Sequence, residues 1–167
     1  SLYVNVVSRL CSSQYRTIDR YSTTIDETFM DTVRIIYPAI AMFLLTSFLV
    51  FKLGLTRFAA IKRGEVSMKY YRSYNEGQEP QRLHILTRHI HNHFEVPPLF
   101  YVGVILTYIT DSVGLVSVVA AWLYVALRLV HSFVHLGNNN VSLRFASFAA
   151  SMMALAVLWL AMLFALV

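Results

Sequence analysis

The sequence predicts an all-α integral membrane protein whose chain crosses the bilayer four times as a helix bundle. Hydrophobic residues make up 57% of the chain and charged residues only 14%, whereas about a quarter of an average soluble domain is charged. The mean hydropathy of +0.56 agrees with this imbalance. Several long apolar stretches approach the roughly 20 residues that a helix needs to cross a bilayer core. We find no phosphate-binding loop, serine triad or nucleic-acid motif, so membrane lipids rather than nucleic acid are the expected surroundings.

The four spans follow in order along the chain. The first, third and fourth are plainly apolar, whereas the second is polar over its first two turns and can cross only if protein shields those turns. Pro97 and Pro98 remove two amide donors inside the second span, so we expect a kink beside Glu95. Gly103 and the Ala-rich fourth span favour close helix approach. The predicted spans cover residues 34–55, 86–109, 116–136 and 143–166.

The loops predict the orientation. The two later loops are short, whereas the first, residues 56–87, is long and has more basic than acidic side chains. This excess places the first loop on the cytoplasmic side and both termini outside. The basic residues are Arg57, Lys62, Arg63, Lys69, Arg72 and Arg82, against Glu65, Glu76 and Glu79.

The segment 1–29 is polar and lacks a long apolar core. We expect it to be disordered or a non-native extension, with the four-span domain covering residues 30–167. Met30 lies just ahead of the first span, so our hypothesis is that natural translation begins there. Cys11 is the only cysteine and lies in this segment, so the sequence offers no cysteine pair.

Two spans carry charged and hydrogen-bonding side chains where hydrocarbon is expected. Such residues are costly within a bilayer and mark a functional site by default. Each trio lies on one helix face, because the spacings are i, i+4, i+7 and i, i+3, i+7. The topology brings both faces into the inner leaflet, where similar depths predict a buried ion pair between Glu95 and Arg128. The trios are Arg88, Asn92 and Glu95 in the second span, and Arg128, His131 and His135 in the third.

Three motifs together carry a resemblance to a known family. They are Arg88-x-x-x-Asn92-x-x-Glu95-x-Pro97, Arg128-x-x-His131-x-x-x-His135 and Asn140-x-x-x-Arg144. The chain resembles the MAPEG family, membrane-associated proteins in eicosanoid and glutathione metabolism, and most closely its small uncharacterised bacterial branch. The resemblance implies a four-helix protomer, a homotrimer and a bacterial inner membrane. In the characterised enzymes it also implies glutathione bound between neighbouring protomers near the cytoplasmic face.

The resemblance further implies a glutathione-dependent transferase or peroxidase that acts on hydrophobic electrophiles. In this chemistry an arginine stabilises the glutathione sulfur as a thiolate, which attacks the electrophile. Arg144 matches this catalytic position, although an arginine at the start of a span can also snorkel to headgroups. The remaining positions would hold the peptide or support its site through charge-assisted hydrogen bonds: Arg88, His91, Asn92, Glu95, Arg128, His131 and His135.

The chain departs from the family's pattern near these positions. His91 stands where an arginine is usual and His135 where a tyrosine is usual. Phe145 and Phe148 follow Arg144 where the prostaglandin and leukotriene enzymes tend to offer hydroxyls. The basic residue of the first helix that contacts glutathione in the family corresponds to Arg57, Lys62 or Arg63, which the alignment leaves open.

Two alternatives stay open beside glutathione chemistry. The same charges could form a structural ion-pair network in a non-catalytic membrane scaffold. The histidines could instead bind a metal, with His131 and His135 at i, i+4 and Glu95 opposite. The remaining histidines of the second span weaken that alternative, because alternate residues on a helix point about 200° apart.

Overall fold

The computed structural model describes residues 32–74 and 79–167. Ile35–Val167 form one compact unit, and all regular elements among its described residues are helices, which confirms the all-α prediction. The predicted extension 1–29 and Met30 lie outside the described residues. The helices are α1 (Ile36–Lys62), α2 (Tyr70–Ser73), α3 (Gln81–Glu95), α4 (Pro97–Ile109), α5 (Leu115–Leu136) and α6 (Val141–Ala165).

Helices α1, α5 and α6 are long and apolar enough to cross a membrane, by length and composition. They contain 27, 22 and 25 residues, so each is roughly 33–40 Å long at 1.5 Å per residue. They coincide with the first, third and fourth predicted spans, and α1 continues past the predicted end at residue 55. Large apolar side chains such as Phe43, Phe51 and Phe164 point outward, as a lipid-facing surface requires. The chain is an integral membrane protein.

The second predicted span is divided into two helices, α3 and α4, at Val96. Pro97 and Pro98 have no amide hydrogen to donate back into α3, so the helical ladder is interrupted there. Val96 bridges the break: its N–H donates to the Asn92 carbonyl oxygen at 3.2 Å, and its own carbonyl accepts from the Leu99 N–H at 3.0 Å. The expected kink is therefore present as a break between a polar helix and an apolar one.

Two apolar clusters hold the unit together. The larger joins α1, α4, α5 and α6, and its buried members include Met42, Phe100, Tyr124 and Leu158. The Phe100 and Tyr124 rings stack with their centroids 4.4 Å apart. The smaller cluster joins the second half of α1 to the first loop and α3. Lipid tails are as apolar as these side chains, so close packing supplies most of the stabilisation within the bilayer.

Helices α4 and α6 approach closely at Gly103. A Cβ atom at this position would lie 2.9 Å from Trp159 Nε1 and 3.3 Å from Trp159 Cε2. The Trp159 indole N–H donates to the Leu99 carbonyl oxygen at 3.2 Å. The close approach expected at Gly103 is confirmed, and the partner surface is an indole ring held by its own hydrogen bond.

Glu79 connects the first loop to α1 and α3 through contacts of its side chain. Its side chain is 4% exposed and accepts hydrogen bonds from the Tyr71 hydroxyl at 3.3 Å and the Thr87 hydroxyl at 3.4 Å. Arg57 Nε lies 3.8 Å from Glu79 Oε1, and the Arg57 guanidinium carbon lies 5.1 Å from the Tyr71 ring centroid. One buried carboxylate thus connects three segments of the chain.

A second, exposed ion pair lies at the surface of this loop. Arg82 Nη2 donates to both carboxylate oxygens of Glu65, at 3.0 and 2.8 Å, and Arg63 Nε donates at 2.8 Å. The hydrogen bond from Arg82 holds the pKa of the Glu65 carboxyl below its ordinary value. Because the folded pKa is lowered, this stabilisation is present above the unfolded pKa and is lost as the pH falls through the folded value.

We predict that Gly103→Ala destabilises the protein by about 1–3 kcal/mol, because the added methyl group displaces the Trp159 ring and its hydrogen bond to Leu99. Gly54→Ala is the matched control in α1, where a Cβ atom meets nothing within 4 Å among the described residues. Alanine favours helix, so the control keeps or slightly raises stability. Thermal unfolding in one detergent measures both, and an unchanged melting temperature for Gly103→Ala would contradict the packing argument.

Candidate functional site

A polar pocket of about 470 Å³ opens between α3, α5 and α6. It brings together seven of the eight predicted site residues, whereas Arg128 lies behind the pocket wall and does not line it. Val141, Phe145 and Phe148 supply an apolar side. The predicted residues that line the pocket are Arg88, His91, Asn92, Glu95, His131, His135 and Arg144.

Helix α3 presents its charged side chains to the opening of this pocket. Arg88, His91 and Glu95 are exposed, while Asn92 is half-buried. Within the part of the chain that the structure describes, no hydrogen bond or ion pair engages the side chains of Arg88, His91 or Glu95. These three groups are available to a ligand or to another protein chain.

Arg128 is fully buried between α5 and α3, at 0% exposure. Its Nη2 donates to Asn92 Oδ1 at 2.6 Å and to the Asn92 carbonyl oxygen at 3.2 Å. Among the described residues, Arg128 Nε and Nη1 have no hydrogen-bond partner. Asn92 therefore contacts the Arg128 guanidinium in the interior, while its side chain also lines the pocket.

The predicted ion pair between Glu95 and Arg128 is wrong. Equal depth along two helices does not decide which faces meet, and Glu95 lies about 60° around α3 from Asn92. That rotation leaves Glu95 exposed at the pocket and directs Asn92 towards Arg128. The Nη2 group of the buried guanidinium donates to an amide oxygen and a carbonyl oxygen instead of to a carboxylate.

Four histidines from α3 and α5 meet at the inner wall of the pocket, where His131 and His135 line it and His89 and His93 lie behind them. His89 and His93 are buried on α3, and the His89 ring centroid lies 4.8 Å from that of His93, 5.5 Å from His131 and 5.0 Å from His135. Sequence reasoning missed this cluster because it compared alternate residues. The available signal was the i, i+4 spacing of His89 and His93, which places both on one face.

Hydroxyl groups contact the two buried α3 histidines. Ser132 Oγ lies 2.9 Å from His89 Nε2 and 3.4 Å from His93 Nε2, and its hydroxyl donates to the Arg128 carbonyl oxygen at 2.8 Å. The Thr46 hydroxyl donates to a backbone carbonyl at 3.0 Å and lies 3.3 Å from His93 Nδ1. The two rings therefore share Ser132, and His93 also contacts α1 through Thr46.

The metal alternative finds no support in residues 32–74 and 79–167. No group of three or more His, Cys, Asp or Glu side chains in these ranges is arranged to hold a metal ion. His131 Nδ1 lies 3.1 Å from the Arg144 carbonyl oxygen, to which it donates, and 3.3 Å from Ser147 Oγ. That nitrogen therefore carries a proton, which leaves Nε2 as the nitrogen of His131 with a lone pair.

Arg144 is oriented into the pocket by the loop before α6. Its Nη1 donates to Asn139 Oδ1 at 2.7 Å, while Asn140 Oδ1 caps the helix by accepting from the Leu143 N–H at 3.1 Å. Arg144 is half-buried and lines the pocket, so it does not merely snorkel outward. Its remaining guanidinium N–H groups are free to meet an anion.

None of the three basic candidates from the first helix region lines this pocket. Arg57 contacts Glu79 and donates to the Thr87 hydroxyl at 3.3 Å, and Arg63 pairs with Glu65. Lys62 is exposed at the end of α1. Within one chain, the pocket therefore draws its positive charge from the later helices.

The balance of charge in and behind the pocket favours an anionic ligand. Arg88 and Arg144 line it, Arg128 lies behind it, and Glu95 is the carboxylate on its wall. Three guanidinium groups against one carboxylate leave a positive field in a region flanked by apolar helices, where water screens charge weakly. Such a site can hold carboxylates or stabilise a thiolate.

Fold and pocket together define a helical integral membrane protein with a cationic site between its helices. The sequence model of the MAPEG family matches residues 35–164, which is most of the chain. The chain therefore belongs to the MAPEG family, a family that includes glutathione-dependent transferases. Comparison with curated proteins and with solved structures gives no match.

We predict that Asn92→Leu destabilises the protein by about 1.5–3 kcal/mol, because it leaves the buried Arg128 guanidinium without its side-chain acceptor. Adding Arg128→Met removes the stranded charge, so the double variant recovers part of this loss. Denaturant unfolding of the wild type, both single variants and the double variant in one detergent gives the coupling free energy. Losses that simply add would contradict the contact.

Proposed function

We propose that this protein is a glutathione-dependent transferase or peroxidase that joins the glutathione sulfur to a hydrophobic electrophile or uses it to reduce one. The single observation that carries the proposal is the polar pocket, where unpaired charges of both signs converge within an apolar helical unit. Its volume of about 470 Å³ falls in the range of small-molecule sites, about 300–1,000 Å³.

The pocket's charges complement those of glutathione. That tripeptide carries two carboxylates, one ammonium group and one thiol at neutral pH. Arg88 and His91 on α3 are placed to donate to carboxylates, Glu95 can accept from the ammonium group, and Asn92 can bond the peptide backbone. His131 and His135 line the opposite wall on α5, and Arg128 supports Asn92 from behind.

Arg144 is the proposed catalytic residue. A guanidinium beside a thiol favours its ionised form, which is the nucleophile. The thiol proton passes to water, and the thiolate forms a bond to the electrophilic atom of the second substrate. In a substitution the bond to the leaving group breaks, and in a conjugate addition the resulting carbanion takes a proton from water. With a hydroperoxide the O–O bond breaks, the released alkoxide takes a proton, and the glutathione sulfenic acid reacts with a second glutathione to give the disulfide and water. Phe145 and Phe148 lie beside Arg144 and offer an apolar surface to that hydrophobic substrate.

We further propose that α3 and α4 cross the membrane together as a fourth span and that three protomers assemble. With Val96 they form a continuous stretch of residues 81–109, about 43 Å at helical rise. The exposed Arg88 and Glu95 on α3 would be costly against lipid, and a neighbouring protomer would shield them. The basic first loop favours a cytoplasmic position for this end of the protein, at a bacterial inner membrane.

A non-catalytic scaffold is the second candidate. The observation that favours it is the same pair of exposed, oppositely charged residues on one face of α3, Arg88 and Glu95. In a scaffold these side chains would pair across protomers and close the network without a ligand. The two candidates therefore differ in what contacts Arg88 and Glu95: glutathione in the enzyme, and a neighbouring protomer in the scaffold.

We predict saturable glutathione binding by the detergent-purified protein in isothermal titration calorimetry. Arg144→Ala weakens binding at least about tenfold, because it removes a charge-assisted hydrogen bond worth about 1.5–3 kcal/mol, and it lowers the ultraviolet thiolate absorbance of the bound thiol. Lys69→Ala is the control, since this exposed lysine of the first loop does not line the pocket and is not among the candidate glutathione contacts. Absence of saturable binding by the wild type would defeat the proposed activity.

A charge exchange between Arg88 and Glu95 separates the two candidates. For the enzyme, we predict that Arg88→Glu weakens glutathione binding and leaves the oligomer intact by light scattering in detergent. For the scaffold, Arg88→Glu disrupts the oligomer because it places like charges across the interface, and the double variant Arg88→Glu/Glu95→Arg restores assembly. A monomeric wild type would contradict both the trimer and the scaffold.

A further inference from the structure

A groove on the surface of the unit contains a single lysine among its described lining residues. It lies between α1 and α5, has a volume of about 370 Å³, and is distinct from the polar pocket. On α1 its lining residues Leu45, Phe48 and Lys52 lie on one helix face, and on α5 Leu129 and Phe133 do the same. Apart from Lys52 and the Ser132 hydroxyl, the side chains that line the groove are apolar.

Lys52 lies at the same end of the groove as the C-terminus of α5. Gly137, the C-cap of α5, lines the groove together with Lys52. From Lys52 back to Leu45 is seven residues, and from Gly137 back to Leu129 is eight, so the groove extends roughly 10–12 Å along the two helices. A charged head at Lys52 and an apolar chain beneath it match this layout.

Lys52 has no partner of its own within the described residues. Its side chain is exposed, no hydrogen bond or ion pair engages its ammonium group, and no carboxylate lines the groove. The Ser132 hydroxyl at the groove is already committed to the Arg128 carbonyl oxygen. An ammonium group in a helix that is apolar enough to span a bilayer is costly unless an anion meets it.

We propose that this groove binds one anionic phospholipid, whose phosphate contacts the Lys52 ammonium group and whose acyl chain lies between α1 and α5. Charge complementarity selects an anionic headgroup, and the apolar walls formed by Leu45, Phe48 and Leu129 accept the chain. The site shares no lining residue with the polar pocket, so it stands independently of glutathione binding.

The test uses the full chain, stripped of lipid in a neutral detergent, with phosphatidylglycerol and phosphatidylcholine of identical acyl chains as probes. Native mass spectrometry counts bound lipid, and thermal unfolding reports stabilisation. The wild type prefers phosphatidylglycerol about fivefold or more, and Lys52→Gln loses that preference. Lys62→Gln, on the same helix but outside the groove, keeps it. Equal retention of the two lipids by the wild type, or an unchanged preference in Lys52→Gln, would overturn the proposal.

A second pair of variants tests the acyl-chain part of the site. Leu129→Trp fills the groove without changing charge and reduces lipid retention, whereas Val130→Trp, on the same helix outside this groove, does not. Because Leu129 and Val130 are both partly exposed, at 39% and 49%, neither change disturbs the core. Equal lipid retention by both Trp variants would contradict a bound acyl chain. A changed oligomeric state in Lys52→Gln would assign the groove to a second copy of the protein instead of to a lipid.

Discussion

A guanidinium group buried between membrane helices needs hydrogen-bond acceptors within the protein. Asn92 provides two such oxygens to the Nη2 group of Arg128. Because Nη2 contacts both the side-chain and the backbone oxygen of this residue, the contact fixes the rotation of α3 as well as its distance from α5. The same carbonyl oxygen accepts from Val96 at the break in the helix. The Arg128 guanidinium therefore positions the C-terminal end of α3. The orientation of α3 then decides which of its side chains reach the pocket.

Once α3 has this rotation, its side chains divide into two sets. His89 and His93 turn inward and pack with the α5 histidines. There the Ser132 hydroxyl lies within hydrogen-bond distance of His89, and the Thr46 hydroxyl lies within hydrogen-bond distance of His93. Arg88 and Glu95 turn outward and keep their charges unpaired within the described chain. A single helix thus contributes buried, hydrogen-bonded histidines to the interior and exposed charged groups to the opening of the pocket.

The sequence allowed the membrane class, three of the apolar helices and the break at the double proline to be predicted, because these depend on composition, length and a missing amide hydrogen. Helical spacing also allowed five pocket residues to be brought together on two faces, whereas His91 and Arg144 lie outside those two trios and were added through the family resemblance. The Glu95–Arg128 pair failed because spacing along a helix gives depth but leaves the relative rotation of two helices undetermined. The buried histidines were missed for a similar reason: Ser132 and Thr46, which satisfy them, become visible only when three helices are packed.

The walls of the pocket also restrict the chemistry it can support. Within residues 32–74 and 79–167 of one chain, none of the lining residues carries a hydroxyl group, and Ser147, close by on α6, already donates to the Arg144 carbonyl oxygen at 3.0 Å. On the proposed function, a thiolate would therefore be stabilised mainly by the Arg144 guanidinium, without a tyrosine or serine donor beside it. Any proton taken up by a leaving group would have to come from a histidine or from water. This favours electrophiles that are already reactive, such as conjugate acceptors and peroxides, over those that need strong general-acid assistance.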